Sequence, residues 1–309
     1  MANDHFIHEP PPGPPLLLDA EQVQHLAYQG WTEIHIPDDL ENALGRLSAS
    51  AADFFGQSEE VKTRAYPSTR GTESGFYHVP NEKEYLTLRR QTHDSSCELE
   101  QQAARAWHDA GLFLYRVLCD LARACGLDTH VWDPLVKESL CLPRVGCNLN
   151  NVTTLMRLFR YNPATGTAEQ HADIGLLTLC VSNSSGLQVL DRAKQVPEWI
   201  YVSRPTVLIG ETARSLLCNR VRAGLHRVVG NEAGRDSIVV ALRPYLASTT
   251  DLSRFGGQGI VDTRKYYNEI RDRRFNVNAT QDIREQQRKT LQAHDVPTLE
   301  SHGPVTGLG

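Results

Sequence analysis

Two histidines and one aspartate have the residue types and spacing of a metal site. His171 and Asp173 are two residues apart, and residues at that spacing on an extended strand point to the same face. His226 begins a later apolar segment and would approach the same ion from another strand. Two imidazoles and one carboxylate on one face of an ion leave its other positions open. This donor set is typical of Fe(II) centres that accept an oxidisable co-substrate and O2.

A second pair at the same spacing predicts a site for a carboxylate group. Arg235 and Ser237 are two residues apart at the start of a predicted strand, so both can face the interior. A guanidinium offers a planar fork that matches a carboxylate, and the hydroxyl adds one donor. A buried arginine without an acid is costly, and an incoming dicarboxylate would supply that acid. Tyr161, at the end of another predicted strand, is expected to donate to the same carboxylate.

Strand alternation also yields candidates for substrate binding. Arg157 and Phe159 share the face of Tyr161, so both are expected to face the cavity if Tyr161 does. Arg157 would then either anchor an acidic or phenolic substrate or pair with a structural acid, and the sequence leaves both alternatives open.

The elements that must position these residues are mostly short strands. From about residue 153, runs rich in β-branched residues and leucine alternate with turn residues, which predicts a barrel or a double-sheet jelly roll. Helical spacing predicts helices over 39–56 and 98–125, the second ending at Gly126, and a polar helix over 280–293. The prolines of residues 1–15 predict an extended segment. The predicted strands are Leu155–Tyr161, Leu176–Ser182, Leu187–Leu190, Trp199–Val202, Thr206–Ile209, His226–Val229 and Ser237–Leu242.

The fold class expected is therefore mainly β with flanking helices. We divide the 309 residues into a helical and mixed N-terminal region (1–150), a jelly-roll core (151–250) and a polar, partly helical C-terminal extension (251–309).

Composition excludes several classes of function. The chain has 32 basic and 37 acidic residues and a formal net charge of −5, with no dense basic stripe, so no nucleic-acid partner is expected. No apolar run reaches the roughly 18 residues of a membrane span. Seven cysteines without a Cys-x-x-Cys pair, and an N-terminal stretch without a secretory pattern, predict free thiols and a reducing, cytoplasmic location. The sequence does not indicate an oligomeric state.

Residues from about 28 to 245 resemble the isopenicillin N synthase-like family of Fe(II)- and 2-oxoglutarate-dependent dioxygenases. The N-terminal part carries Gly30-Trp31, Phe54-Phe55 and Gly75-Phe76-Tyr77. The stronger motifs of the core are His171-Ala172-Asp173-Ile174-Gly175, Gly186-Leu187-Gln188-Val189, Gly210-Glu211, His226-Arg227-Val228 and Arg235-Asp236-Ser237.

The resemblance implies a double-stranded β-helix with a helical N-terminal region. It implies Fe(II) held by His171, Asp173 and His226, and 2-oxoglutarate held by Arg235, Ser237 and Tyr161. It also implies a reaction with O2 that converts 2-oxoglutarate to succinate and oxidises a small organic metabolite, usually by hydroxylation. Tyr77 joins Arg157 and Phe159 as a candidate substrate contact.

The chain departs from the family pattern near the expected pocket. Phe159 stands where an asparagine is frequent, and Glu211 stands where an aspartate is usual. Cys218 and Gly224 replace a frequent threonine and serine. These differences reshape the pocket without touching the three metal ligands, so no substrate can be transferred from the family.

Three other functions compete with hydroxylation. The same centre could drive desaturation, ring closure or a tropolone-type ring expansion of a polyketide aromatic, as in fungal secondary-metabolite biosynthesis. A non-catalytic cupin-like binding protein would not need a dicarboxylate site. A zinc hydrolase would need a general base, and the sequence offers no motif for one.

Overall fold

The computed structural model describes residues 13–68, 73–92, 97–274, 277–279 and 281–294 of the chain. Most of the predicted extended segment 1–15 and the end of the polar tail therefore lie outside the described residues.

Two antiparallel sheets form the core. The larger has seven strands in the order β1-β9-β6-β11-β4-β3-β2, and the smaller has four in the order β5-β10-β7-β8, while β12 and β13 form a separate ribbon. The mainly β core with flanking helices is as the sequence predicts. The strands are β1 (Trp31–Glu33), β2 (Gly75–Val79), β3 (Lys83–Leu88), β4 (Leu155–Tyr161), β5 (Ala168–His171), β6 (Leu177–Ser182), β7 (Leu187–Asp191), β8 (Glu198–Tyr201), β9 (Thr206–Ile209), β10 (His226–Val228), β11 (Arg235–Leu242), β12 (Thr249–Asp251) and β13 (Ile260–Asp262).

The two faces of the larger sheet have different neighbours. On β4, Leu158 belongs to the apolar cluster that the helices cover, whereas Phe159 and Tyr161 belong to the cluster between the two sheets. Val189 and Val228 of the smaller sheet complete that inner cluster. The alternation predicted for β4 is therefore confirmed, and its inner face lies where a cavity between the sheets can form.

Helices cover the outer face of the larger sheet. In α4, Trp107, Leu114 and Leu118 are fully buried along one stripe, as expected for an amphipathic helix that packs on a sheet. Gly126, at φ +67°, ends this helix as predicted. The helices are α1 (Ala20–Gln29), α2 (Asp38–Phe55), α3 (Glu59–Ala65), α4 (Glu98–Ala124), α5 (Asp133–Val136), α6 (Glu211–Leu216), α7 (Thr263–Arg271) and α8 (Gln281–His294).

The N-terminal region contributes strands that the sequence pattern does not predict. β1 pairs with β9, and β3 pairs with β4, so three strands before residue 150 extend the larger sheet. The charged pair Lys83-Glu84 interrupts the apolar pattern of β3, which hides the strand from a reading of hydrophobic alternation. The domain boundaries at residues 150 and 250 stay a prediction.

The predicted polar helix near the C-terminus is confirmed as α8, but it is not merely solvated. Arg284 is 4% exposed, and its guanidinium pairs with Glu82 at 2.7 Å and with Glu169 at 2.8 Å.

All seven cysteines are free thiols, as predicted. Among the described helices, none combines the length and the apolar character that crossing a membrane requires.

Candidate active site

The two candidate histidine ligands meet because their strands are neighbours in the smaller sheet. β10 pairs with β5 so that His226 lies opposite His171, and the two ring centroids are 4.2 Å apart. His226 is 5% exposed, which places the pair inside the molecule.

Asp173 reaches the histidines from a loop, which corrects the prediction that it shares a strand with His171. β5 ends at His171, and the loop that follows is held by the start of α6. The Glu211 N–H donates to the Asp173 carbonyl at 2.8 Å, and the Thr212 N–H donates to the Ile174 carbonyl at 3.0 Å. The loop rather than strand pleating therefore directs the carboxylate toward the histidines.

Two glycines allow the Asp173 loop to lie against the rest of the sheet. A Cβ on Gly210 would be 2.1 Å from the Gly175 carbonyl oxygen, and a Cβ on Gly175 would be 2.7 Å from the Leu242 carbonyl oxygen. Atoms cannot approach so closely without a backbone shift, so both positions require glycine. The Gly175 and Gly210 motifs seen in the sequence thus position the loop.

The ligand atoms of His171, Asp173 and His226 all lie within 4.8 Å of one another. The Nδ1 atom of His171 is 2.7 Å from the Glu169 carbonyl, and that of His226 is 3.0 Å from the Gly224 carbonyl. Because a carbonyl oxygen only accepts, each Nδ1 carries the proton and each Nε2 lone pair is free for an ion. The three side chains could therefore hold one metal ion.

The surroundings favour the protonation states that metal binding requires. Burial, followed by the repulsion that two protonated imidazoles would exert on each other, lowers the pKa of His171 far below its ordinary value, so its imidazole is neutral near pH 7. Burial alone would raise the pKa of Asp173, but the two histidines outweigh it and hold the pKa below its usual value. Burial raises the pKa of Cys180, which lines the same cavity, to about 12. It remains a thiol and adds no thiolate to the donor set.

The candidate carboxylate-binding residues lie in the same cavity as the three candidate ligands. Arg235, Ser237 and Tyr161 are 5%, 4% and 5% exposed, and the pairing of β11 with β4 sets Arg235 opposite Tyr161. The Arg235 guanidinium carbon lies 5.4 Å from the centre of the Tyr161 ring. Among the described residues, no acid pairs with Arg235 and its Nε atom has no hydrogen-bond partner.

The two hydroxyl groups beside Arg235 can both donate. The Ser237 hydroxyl donates to the Val181 carbonyl at 3.2 Å, and rotation about its C–O bond would turn it toward a bound carboxylate. Burial raises the pKa of Tyr161 to about 12, so its phenol keeps its proton.

The three candidate substrate residues have different surroundings. Phe159 lines the cavity, with its ring centre 5.3 Å from that of Tyr85. Arg157 also lines the cavity, and its guanidinium pairs with Glu73 at 2.8 Å. Tyr77 is not among the lining residues; its ring stacks on Tyr85 at 5.0 Å and its hydroxyl donates to the Ser74 carbonyl. A substrate role for Tyr77 stays a prediction.

Several residues of the site carry no signal in the sequence. The carbonyls of Glu169 and Gly224 orient the two histidines, and a backbone contact of this kind leaves no trace in residue type. Asn278 lines the cavity from the C-terminal region, where nothing in the polar tail distinguishes it. Glu73 and Arg243 form an ion pair at 2.8 Å in an adjoining chamber, and their distance along the chain hides the pairing.

Comparisons with known proteins agree with this architecture. No family model matches the chain. A 2-oxoglutarate-dependent dioxygenase of Amanita muscaria, iboH, is 30% identical over an alignment of 131 residues that covers 38% of this chain and 62% of that protein. A 2OG-Fe(II) oxygenase family protein of Caulobacter crescentus superposes with a TM-score of 0.66 at 18% identity, covering 81% of this chain and 91% of its own. The chain has the fold of the 2OG-Fe(II) oxygenases.

A second solved structure with this fold is that of a full-length Neurospora crassa protein in complex with alpha-KG and 5-formyluracil. It superposes with a TM-score of 0.62 at 17% identity and covers 81% of this chain and 88% of its own. The predicted double-stranded β-helix is thus confirmed. Within this 2OG-Fe(II) oxygenase fold, the candidate metal ligands and the buried Arg235 share one cavity between the sheets.

Proposed function

We propose that this protein is an Fe(II)- and 2-oxoglutarate-dependent dioxygenase. In this proposal His171, Asp173 and His226 bind Fe(II), and Arg235, Ser237 and Tyr161 bind 2-oxoglutarate. The observation that carries it is the position of Arg235, a buried cation without an acidic partner among the described residues, in the same cavity as a two-histidine, one-carboxylate donor set. A purely structural metal site has no use for such a cation.

The donor set fits ferrous iron. Two neutral imidazoles and one carboxylate supply nitrogen and oxygen ligands without thiolate sulfur, and they occupy one face of the ion. Bound iron, with 2-oxoglutarate and O2, supplies the oxidising equivalent for the reaction.

The residues around the cavity bind and orient the co-substrate. Arg235 would pair with the carboxylate of 2-oxoglutarate that lies away from the metal, and Tyr161 and Ser237 would donate to the same group. Phe159, Leu187 and Val228 give the rest of the cavity an apolar wall. This wall limits the access of water, which strengthens the charged contacts inside.

We further propose that the protein belongs to the isopenicillin N synthase-like subfamily and hydroxylates a small metabolite in secondary metabolism. The sequence motifs around His171, His226 and Arg235 support the subfamily. The name of the Amanita muscaria relative supports a 2-oxoglutarate-dependent dioxygenase reaction, and the pyrimidine bound by the Neurospora crassa protein supports a small-molecule substrate. Desaturation, ring closure and ring expansion use the same centre, and mass spectrometry of the products separates them from hydroxylation.

The test is a screen for succinate formation from 2-oxoglutarate with phenolic and polyketide-type acceptors, with and without Fe(II). We expect iron-dependent succinate that rises with one class of acceptor, and none from the Asp173→Ala variant. A protein that binds Fe(II) but converts no 2-oxoglutarate with any acceptor would favour the cupin-like binding function instead.

A further inference from the structure

A second chamber adjoins the metal side of the cavity and is rich in arginine. Its volume is about 410 Å³, and it shares Arg157, His171, Asp173 and Asn278 with the inner cavity. A molecule in this chamber would therefore lie against the candidate metal ligands. Besides Asp173 and Asn278, its charged and amide-bearing lining residues are Glu73, Arg157, Gln170, Arg243, Arg271 and Arg274.

Two of these arginines share a single acid. The Glu73 carboxylate lies between them: Arg157 is 2.8 Å from its Oε1 atom, and Arg243 is 2.8 Å from its Oε2 atom. Their side chains are 14% and 8% exposed, and the Nε atom of Arg243 has no partner among the described residues. Two largely buried cations therefore share one directly paired acid, and the Asp173 carboxylate lies in the wall of the same chamber.

The other two arginines of the chamber already have partners of their own. Arg271 pairs with Asp272, its neighbour in the chain, at 2.9 Å. Arg274 pairs with Glu211 at 2.5 Å, an acid that it shares with Arg214 at 2.6 Å. Arg157 and Arg243 are therefore the two arginines of the chamber whose shared acid, Glu73, also lines the chamber.

The arginines and their acid are held very differently. Arg157 lies on β4, and Arg243 directly follows β11, the neighbour of β4 in the larger sheet. Glu73 precedes β2, its side chain is 42% exposed, and its backbone has φ +55°, a conformation that residues with a side chain rarely adopt. The sheet fixes the two cations, whereas the acid between them is exposed and in a strained conformation.

We propose that Arg157 and Arg243 recognise a carboxylate group of the substrate, and that Glu73 occupies their site in the free protein. The substrate is then a small organic acid, with its carboxylate at the arginine pair and the carbon to be oxidised near the metal ligands. This inference rests on the proposed function, because it names the substrate class of the same centre. It also resolves the two alternatives for Arg157, since the structural acid and the substrate acid use the same guanidinium in turn.

The test compares acids with their neutral amides in metal-free protein. The probes are benzoate against benzamide and hexanoate against hexanamide, at constant ionic strength, with binding followed by thermal shift and calorimetry. The titrations are made in the Arg235→Met background, so that no acid is retained by the 2-oxoglutarate site. We expect the acids to bind and the amides to bind at least tenfold more weakly, since hydrogen bonds to charged groups contribute about tenfold or more in affinity.

Two substitutions, each with a control, then separate the role of Glu73 from that of Arg157. Glu73→Gln removes the internal competitor and should tighten acid binding about tenfold, whereas Glu59→Gln, an exposed acid on α3, should not change it. Arg157→Gln should remove the preference for acids, whereas Arg160→Gln, on the opposite face of β4, should keep it. If Glu73→Gln does not fold, the ratio of acid affinity to amide affinity in the Arg235→Met protein without these four substitutions still tests the inference.

Equal binding of acid and amide, or no binding of any acid, would overturn the inference. Failure of the proposed function has a different signature: the anaerobic protein would form no complex with Fe(II) and 2-oxoglutarate, whatever it does with benzoate. An iron complex without acid selectivity would remove this substrate class and leave the proposed function in place.

Discussion

Replacing Arg235 by methionine should weaken 2-oxoglutarate binding without lowering the stability of the free protein. The guanidinium is buried, yet no acid pairs with it among the described residues and its Nε atom has no partner. Methionine fills a similar volume and removes the unpaired charge, so the free energy of unfolding without 2-oxoglutarate should stay level or rise. A buried arginine that served the fold would give the opposite result.

The expected loss of affinity follows from the contact that disappears. Truncating one partner of a buried, hydrogen-bonded charge pair costs about 2–5 kcal/mol, which is roughly 30-fold to several thousand-fold in the dissociation constant. The lower part of that range applies, since Tyr161, Ser237 and the metal ion still hold the co-substrate. At 100 times its dissociation constant, 2-oxoglutarate should add about 2.7 kcal/mol to the free energy of unfolding of the unmodified protein and much less to that of the variant.

The assay is thermal unfolding of the Fe(II)-loaded protein under anaerobic conditions, with and without 2-oxoglutarate, beside a direct titration. Arg160→Met is the matched control, because Arg160 lies on the opposite face of β4 and pairs with Asp236 at 3.5 Å. Its affinity for 2-oxoglutarate should not change. An Arg235→Met protein that binds 2-oxoglutarate as tightly as the unmodified protein would refute the assignment of this arginine.

Three further results are expected. Gly210→Ala should lower the free energy of unfolding by about 1–3 kcal/mol and weaken iron binding, since its Cβ would lie 2.1 Å from a carbonyl oxygen of the Asp173 loop. Gly45→Ala on α2 is the control, because a Cβ there has no atom within 4 Å. It should raise the free energy of unfolding by about 0.5–1 kcal/mol in the same denaturation experiment. Burial lowers the pKa of Lys83 to about 8, so between pH 8 and about 10.4 the unfolded chain binds more protons than the folded protein. The free energy of unfolding, relative to that of Lys83→Met, should therefore rise across that window by up to about 3 kcal/mol. A difference between the two proteins that stays constant with pH in urea unfolding would contradict this. Cys180 should resist iodoacetamide in the native protein while the exposed Cys147 reacts, and equal labelling by mass spectrometry would contradict the burial of Cys180.

The core of the fold and the grouping of the candidate site residues are readable from the sequence because both depend on local patterns. Alternation along β4 and the two-residue spacing of Arg235 and Ser237 predict inward faces for Tyr161, Ser237 and Arg235, and the structure brings all three into one cavity. The helical stripe of α4 follows from the spacing of its leucines. In each case the pattern repeats over several residues, so one irregular position does not hide it.

The remainder depends on contacts that no local pattern records. The three N-terminal strands are short or carry charges, and they become strands only by pairing: β1 with β9, β3 with β4, and β2 with β3. Asp173 reaches the histidines through a loop held by α6, although two-residue spacing suggested a shared strand. The Glu73 bridge to Arg157 and Arg243 joins residues far apart in the chain, and therefore only the structure reveals it.

The central claim is that His226 meets His171 and Asp173 around one ferrous ion. Anaerobic titration of the protein with Fe(II) in the presence of 2-oxoglutarate tests it most directly, through the weak metal-to-ligand absorption band of the complex. We expect the band to saturate at one iron per chain and to be absent from both the His226→Ala and the Asp173→Ala variants. A band of unchanged intensity in either variant would contradict the claim.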